Sequence, residues 1–421
     1  MTTLESRPVT HRDLMKKVEQ VAGAIDRADD VGSTIRLVME SLITHFRSEL
    51  GILGGRLYRR QGRRYKLEVL FGEAKAAPLG LEVLRSYPPI QRLLEHGTLY
   101  MTPTDPGIDP AFEEQIGARE FAAIEVGDED FLLAFDLAAH ADRDDVLFSL
   151  GILRHSINQK IRQERMAGIF NEARKIQASI LPRREPVYGD FEVSGASRPM
   201  ELVGGDFYDY IPISDKILGV AIADVSGHGL PAALQVRDIY MGLRMGLARD
   251  LKIVRTVERM NQIIHKSTLT SRFVSMFYGE LEPNGLFIYV NAGHPPPFHL
   301  SAAGQVRPLE AGGPVLGPLA DATYERGVVE VGPGDLVVLY TDGITEARGA
   351  DAGQAVGELG LERVIEVCKE NRHRPAREIV EAVFAMVDRF TNGRAATDDR
   401  TVVVVRRPEG ESSEPKSNRQ R

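Results

Sequence analysis

The sequence predicts an α+β protein: an N-terminal antiparallel sheet with helices, a helical linker, and a C-terminal pair of stacked sheets flanked by helices. Three observations predict it. Residues 1–150 alternate helical and hairpin patterns, residues 144–181 carry one long helical periodicity, and residues 187–407 are dominated by short β-branched runs that end in Gly or Asp. A length of 421 residues suits two or three domains at about 100–200 residues each.

Composition removes several classes of function. The 52 Lys and Arg against 60 Asp and Glu give a net charge of −8, without the basic surplus of a nucleic-acid binder. No apolar run approaches the roughly 18 residues of a membrane-spanning helix, and the opening MTTLESRPVTHRDLMKK has no apolar signal core. The single cysteine, Cys368, excludes an internal disulfide and any multi-cysteine metal site. The expectation is a reduced, cytoplasmic setting with neither nucleic acid nor membrane as partner.

Along the chain, residues 13–50 read as helical, with Val18, Val21, Ile25, Ile35, Val38, Met39 and Leu42 at three- and four-residue spacing. GILGGRLYRRQGRRYKLEVLFG reads as a hairpin turning at Gln61-Gly62. A helix is expected over 81–96, then the loop TPTDPGIDP, then a second hairpin, FAAIEVGDEDFLLAFDLA, turning at Gly127–Asp130. Leu150, Leu153, Ile157, Ile161, Ile169, Ala173, Ile176 and Ile180 mark the long helix, with a break expected near 163–168 and a stop at Pro182. The mixed three–four spacing predicts a short coiled coil over 151–182 and hence a parallel homodimer through the linker helix; a helix packed on its own domain is the alternative. In the C-terminal part the strands are ILGVAIADVSG, RFVSMFYGELE, GLFIYVNAG, GDLVVLYTDG and RTVVVVRR. Helices are expected over 230–251, 253–267, 361–370 and 376–390, and residues 408–421 are polar enough to be disordered.

The chemistry-bearing residues are carboxylates at strand ends. Asp206 follows Val203-Gly204-Gly205, Asp224 ends a strand in ADVSGHG, Asp342 ends another in LYTDG, and Asp398-Asp399 precede the last strand. Any one Asp-Gly is more readily a turn than a ligand. Four such positions in one strand-rich domain instead suit a hard divalent cation, Mg²⁺ or Mn²⁺, which takes oxygen donors.

Eight segments then occur in order across residues 170–405: ARKIQASILP, ELVGGDFYDY, IADVSGHGLPAAL, FVSMFYGELE, YVNAGHPPPF, GGPVLG, LVVLYTDGITEA and TDDRTVVVV. Together they resemble the bacterial RsbU/SpoIIE-like branch of the metal-dependent, type 2C (PPM-type) serine/threonine phosphatases. The resemblance implies an α-β-β-α sandwich with a two-metal site at one edge, holding two Mn²⁺ or Mg²⁺ ions. It assigns Asp206, Asp224, the Val225 carbonyl, Asp342 and Asp398 as ligands, with catalysis through the bound metals. Asp398 is chosen over Asp399 by its place in the family's motif, and Asp209 is the weakest acidic candidate, read as lying behind the site or on the surface. It also implies water attack on a phosphorylated partner protein, a STAS-domain anti-sigma-factor antagonist.

His228 and His294, in glycine-bearing loops, are candidates to protonate the leaving group, with loop packing as the plainer reading. Cys368 lies in the helical pattern LERVIEVCKE and reads as core. Gly204-Gly205-Asp206-Phe207 lacks the second acid of a diguanylate cyclase signature, and no phosphate loop ending in Lys-Ser/Thr is present. The phosphate-contacting residue is unassigned. The N-terminal order of helices and hairpins resembles a GAF sensory domain, with PAS as runner-up. The rival to an enzyme is a silent scaffold that keeps the fold, but all four metal carboxylates are present.

Overall fold

Spatial contacts divide the chain into two units, Met1–Gly168 and Ile169–Arg421. The computed structural model describes residues 21, 31–47, 50–74, 77–117, 120–138, 141–247, 252–267, 273–351 and 354–409. The helix expected before residue 31, Val21 apart, and the tail from residue 410 lie outside them. Among the described residues no helix is long and apolar enough to cross a membrane.

In the first unit, helix α1 (Val31–His45) buries Ile35, Val38, Met39 and Leu42 on one face. Strands β1 (Ile52–Gln61) and β2 (Arg64–Gly72) form the first hairpin, with Gly62 at φ +62° in its turn. Next come β3 (Glu82–Leu84), α2 (Pro88–His96), β4 (Thr98–Met101) and α3 (Pro110–Ile116). Strands β5 (Phe121–Val126) and β6 (Phe131–Leu137) form the second hairpin. The sheet order is β3-β2-β1-β6-β5-β4, antiparallel throughout.

Helix α4 (Arg143–Ile180) runs without the expected break, and Gly168 lies within it. Leu150, Leu153, Ile157 and Ile161 are buried in the same core as α1, so that half of the helix packs on its own sheet. Met166, Ile169 and Ile176, by contrast, are exposed.

Two local expectations in this unit need correcting. The helix expected over 81–96 starts only at Pro88, because paired prolines suit a first helical turn, and β3 precedes it. The Pro- and Asp-rich loop runs straight into α3, whose start Asp109 fixes by accepting hydrogen bonds from the amides of Ala111 and Phe112.

The second unit is a four-layer stack. Its strands are β7 (Glu192–Arg198), β8 (Asp206–Ser214), β9 (Ile217–Val225), β10 (Val274–Leu281), β11 (Leu286–Ala292), β12 (Phe298–Leu300), β13 (Val306–Pro308), β14 (Gly312–Gly313), β15 (Gly327–Glu330), β16 (Leu336–Tyr340), β17 (Arg348–Asp351), β18 (Gln354–Glu358) and β19 (Arg400–Arg406). Its later helices are α5 (Leu230–Leu247), α6 (Ile253–Lys266), α7 (Asp342–Thr345), α8 (Leu361–Asn371) and α9 (Ala376–Thr391). One sheet runs β14-β11-β10-β9-β8 with β15 on β11, the other β13-β12-β16-β19-β7.

Strands such as β9 and β19 are apolar on both faces because a helix layer covers one and the other sheet covers the second. Phe277, Phe287, Tyr289, Leu339 and Val403 fill the space between the sheets. Val236, Ile239, Val257 and Met260 of α5 and α6 cover the first sheet, and Val364, Cys368, Val383 and Phe384 of α8 and α9 cover the second. The α+β class and the stacked sheets therefore stand as the sequence predicts.

Phe277 is fully buried between the sheets and stacks on Tyr289 at 5.2 Å between ring centroids. Phe277→Ala is expected to destabilise the unit by about 3–5 kcal/mol, read as a lower urea midpoint by circular dichroism. A loss under about 1 kcal/mol would contradict this core.

Candidate active site

Side chains in a strand alternate between faces, so residues two apart share one. Tyr208 and Tyr210 point into the space between the sheets, as do Ile222, Phe277, Leu339 and Val403. The same alternation sends Asp206, Asp224, Ser275, Thr341 and Thr401 to that face, at the end of their strands where the apolar filling stops. In the β8–β9 ladder Asp206 pairs directly with Asp224, and in β9–β10 Asp224 pairs with Ser275. Two carboxylates opposite each other in an antiparallel ladder repel and destabilise the sheet.

Asp206 is buried, 3% exposed, and its Oδ2 accepts hydrogen bonds from Thr341 Oγ1 at 2.8 Å and Thr401 Oγ1 at 2.6 Å. Thr401 N–H donates in turn to Thr341 Oγ1 at 2.9 Å. The two threonines thus fix one oxygen and leave the other as a donor to a ligand. Burial, and then Asp224, push the Asp206 carboxyl well above the usual carboxylate range, while the threonine hydroxyls pull it back. Burial also raises Asp224, to about 7, with Asp342, Asp398 and Asp399 adding to the effect. Asp398 is raised by desolvation, Asp342 and Asp399, against the Asp399 amide that donates to its Oδ1 at 2.8 Å. The carboxylates predicted from sequence therefore lie in mutual electrostatic reach.

Asp399 has another task. Its Oδ1 accepts from Met200 N–H at 2.7 Å and its Oδ2 from Gly205 N–H at 2.6 Å. Both oxygens are committed to the loop before β8, which favours its neighbour Asp398 as the ligand. A Cβ on Gly204 would collide with that carboxylate, and one on Gly205 would stand 2.8 Å from the Val225 carbonyl. A Cβ on Gly343 would strike the Asp399 backbone carbonyl. Gln177, near the end of α4, clamps the same loop, donating from Nε2 to Gly204 O at 2.6 Å and accepting from Gly204 N–H at 3.1 Å.

Asp209 does not join the cluster. It shares the helix-side face with Phe207 and Ile211, where it is buried and paired with Arg244 Nη2 of α5 at 2.8 Å. Of the two readings open for it, the surface one is thereby excluded.

The histidines also divide. His294 is buried: its Nε2 lies 3.1 Å from the Tyr340 carbonyl, which can only accept, so Nε2 carries the proton. Nδ1 then accepts from Ser275 Oγ at 2.9 Å. Desolvation lowers its pKa to about 3, so it is a neutral structural group without a proton to spare, and the plainer reading holds. His228 is exposed, with Nδ1 2.8 Å from Glu201 Oε1, and it lies in electrostatic reach of Asp398. Cys368 is buried in the α8–α9 core, and burial raises its thiol to about 12, as its helical pattern predicts.

The donor set suits a hard cation. Asp206, Asp224, Asp342 and Asp398 offer only oxygen, the like-charge pair lacks a nearby compensating cation among its hydrogen-bond partners, and glycine at 205 keeps the Val225 carbonyl approachable. Among the described residues no three His, Cys, Asp or Glu side chains stand close enough together, as they lie, to hold a metal ion. Sequence reasoning missed Thr341, Thr401 and Gln177, although each stands inside a quoted segment.

A family profile described as Stage II sporulation protein E (SpoIIE) matches residues 214–408. Protein IcfG of Synechocystis sp. is 26% identical over 323 residues, covering 68% of this chain and 49% of its own length. Phosphoserine phosphatase RsbU of Bacillus subtilis is 28% identical over 262 residues, covering 62% of this chain and 76% of its own. The chain thus spans about half the length of the first of these relatives. The SiaA-PP2C domain of Pseudomonas aeruginosa superposes with a TM-score of 0.52 at 21% identity, covering 58% of this chain and 98% of that domain, a likeness of fold.

For a histidine lowered in the fold, the unfolded chain binds the extra proton between its ordinary pKa near 6.5 and the folded value near 3. Stability is therefore expected to fall as pH drops through that window, and His294→Gln to flatten the dependence while leaving the shape of any pH–rate profile unchanged. A rate profile that loses its acidic limb in this variant would contradict the structural role.

Proposed function

We infer that the C-terminal unit, which belongs to the SpoIIE family of PP2C-type phosphatases, hydrolyses phosphoserine or phosphothreonine on a partner protein with the help of divalent metal ions. The Asp206–Asp224 pair, facing across the ladder at the end of the inter-sheet layer, carries this reading, since a bound cation would offset the repulsion between two ionised carboxylates there. Asp206, Asp224, Asp342, Asp398 and the Val225 carbonyl would hold two Mn²⁺ or Mg²⁺ ions. Bound there, such ions would lower the pKa of coordinated water and neutralise phosphoryl oxygens.

The chain's own residues do the positioning. Thr341 and Thr401 fix Asp206, and Asp399 with Gln177 fixes the Gly204-Gly205 loop. His228, oriented by Glu201, is the candidate to protonate the departing serine or threonine oxygen. The buried Cys368 thiol leaves a cysteinyl-phosphate route without a nucleophile.

The substrate in this reading is a phosphorylated STAS-domain anti-sigma-factor antagonist, as the resemblance to the RsbU-like branch implies. The first unit acts as a GAF-like sensor that adjusts turnover. Exposed Met166, Ile169 and Ile176 on α4 support a homodimer through the linker helix.

With a phosphoserine peptide, the full chain is expected to turn over with Mn²⁺ and to lose at least about 100-fold in kcat with EDTA or with Asp224→Asn, about 2.7 kcal/mol or more in barrier. EDTA-resistant turnover, or an Asp224→Asn variant of undiminished kcat, would overturn the reading. Signalling that survives the loss of metal would instead support the scaffold.

A further inference from the structure

The β19–β7 ladder holds a second like-charge pair, this one of cations. Arg400, the first residue of β19, stands directly opposite Arg198, the last residue of β7. Like charges facing one another destabilise a sheet. Alternation along β19 puts Arg400 on the face of Val402 and Val404, which belong to the core covered by α8 and α9. Thr401, between them in the chain, points the other way and reaches Asp206.

The two arginines differ in their partners. Arg198 is half exposed; its Cζ lies 4.2 Å from the centre of the Phe384 ring and its Nη1 donates to Asp388 Oδ2 at 2.8 Å, both on α9. Arg400 is 8% exposed, yet its Nε is buried without a partner. Among the described residues its guanidinium makes no hydrogen bond or ion pair. Asp388 and Arg198 are the charged groups in electrostatic reach of it. Its chain neighbour Asp399 has both oxygens committed to the Met200 and Gly205 amides. Two cations therefore share one aspartate, and one positive charge is left over.

A nearly buried charge without a partner is costly, and an apolar side chain of similar volume in its place is often neutral or stabilising. An oxygen anion would remove the cost, since a guanidinium offers its N–H groups in a planar fork that fits a carboxylate. The position suits a substrate contact. Arg400 follows Asp398 by two residues, about 7 Å along an extended strand, and Met200, two residues past Arg198, donates to Asp399. Because Arg400 faces α9 and not the metal carboxylates, the anion it takes is a neighbour of the reacting phosphoryl group and not that group itself.

We propose that Arg198 and Arg400 form a specificity site for the carboxylate of an acidic side chain on the protein substrate, a few residues from its phosphorylated serine or threonine. The identity of that partner rests on the phosphatase reading; the unmatched charge does not.

The test uses the full chain and two fluorescent phosphoserine peptides, one with glutamates on both sides of the phosphoserine and one with glutamines in their place. Binding is followed by anisotropy and turnover by phosphate release, both in Mn²⁺. The glutamate peptide is expected to bind about tenfold tighter, the factor that about 1.4 kcal/mol supplies. Its KM should be lower by a similar factor at similar kcat, because the contact is the same in ground and transition states. Arg400→Met should bring the ratio between the peptides to about one and should unfold at the same or a higher temperature than the parent. The same change at Arg184, exposed in the loop after α4, should leave the ratio as it was. Equal binding of both peptides by the parent, or a preference that survives Arg400→Met, would overturn the proposal. So would a markedly lower unfolding temperature for Arg400→Met, which would make the arginine a support of the fold. A preference in binding without turnover would support the site and overturn the phosphatase reading instead.

Discussion

The second unit is organised around a repulsion. Two aspartates face each other across the β8–β9 ladder, one of them buried, where desolvation and neighbouring carboxylates both oppose their charge. Proteins place like charges opposite one another in a sheet only where something else compensates. The neighbouring hydroxyls hold Asp206 in place and only partly relieve its charge. Threonines from β19 and from the residue after β16 grip one Asp206 oxygen, so the carboxylate cannot swing away. The two sheets are thereby tied together at the point where their shared apolar filling ends.

Close backbone approach is the second constraint. The loop before β8 lies so near Asp399 and the Val225 carbonyl that residues 204 and 205 have no room for a side chain, and the start of α7 lies equally near the Asp399 carbonyl at residue 343. The glycines beside the acidic residues are therefore packing requirements more than turn formers. Asp399 acts as the connector: its two oxygens hold the loop in front of β8, while its amide holds Asp398. Two adjacent acids thus divide the work, one building the loop and the other facing the cluster.

Much of this was legible in the sequence because burial on both faces turns strands such as β9, β16 and β19 into uninterrupted apolar runs that end at the acids. The helices of the outer layers were legible by their periodicity. What escaped was decided by partners distant in the chain. Alternation alone does not reveal that Asp209 faces Arg244 across a helix layer, or that His294 spends its proton on Tyr340. Thr341 and Thr401 read as strand-end residues until the ladder brings both onto Asp206. In the first unit, α3 was hidden because its capping Asp109 and its first-turn proline also suit a loop.

The most direct test compares thermal unfolding of the full chain and its Asp224→Asn variant, each in EDTA and in Mn²⁺. If the carboxylate pair is an uncompensated repulsion that a cation offsets, the variant unfolds at a higher temperature than the parent in EDTA, and Mn²⁺ raises the parent far more than the variant. A variant less stable than the parent in EDTA, with the same response to Mn²⁺, would contradict the account.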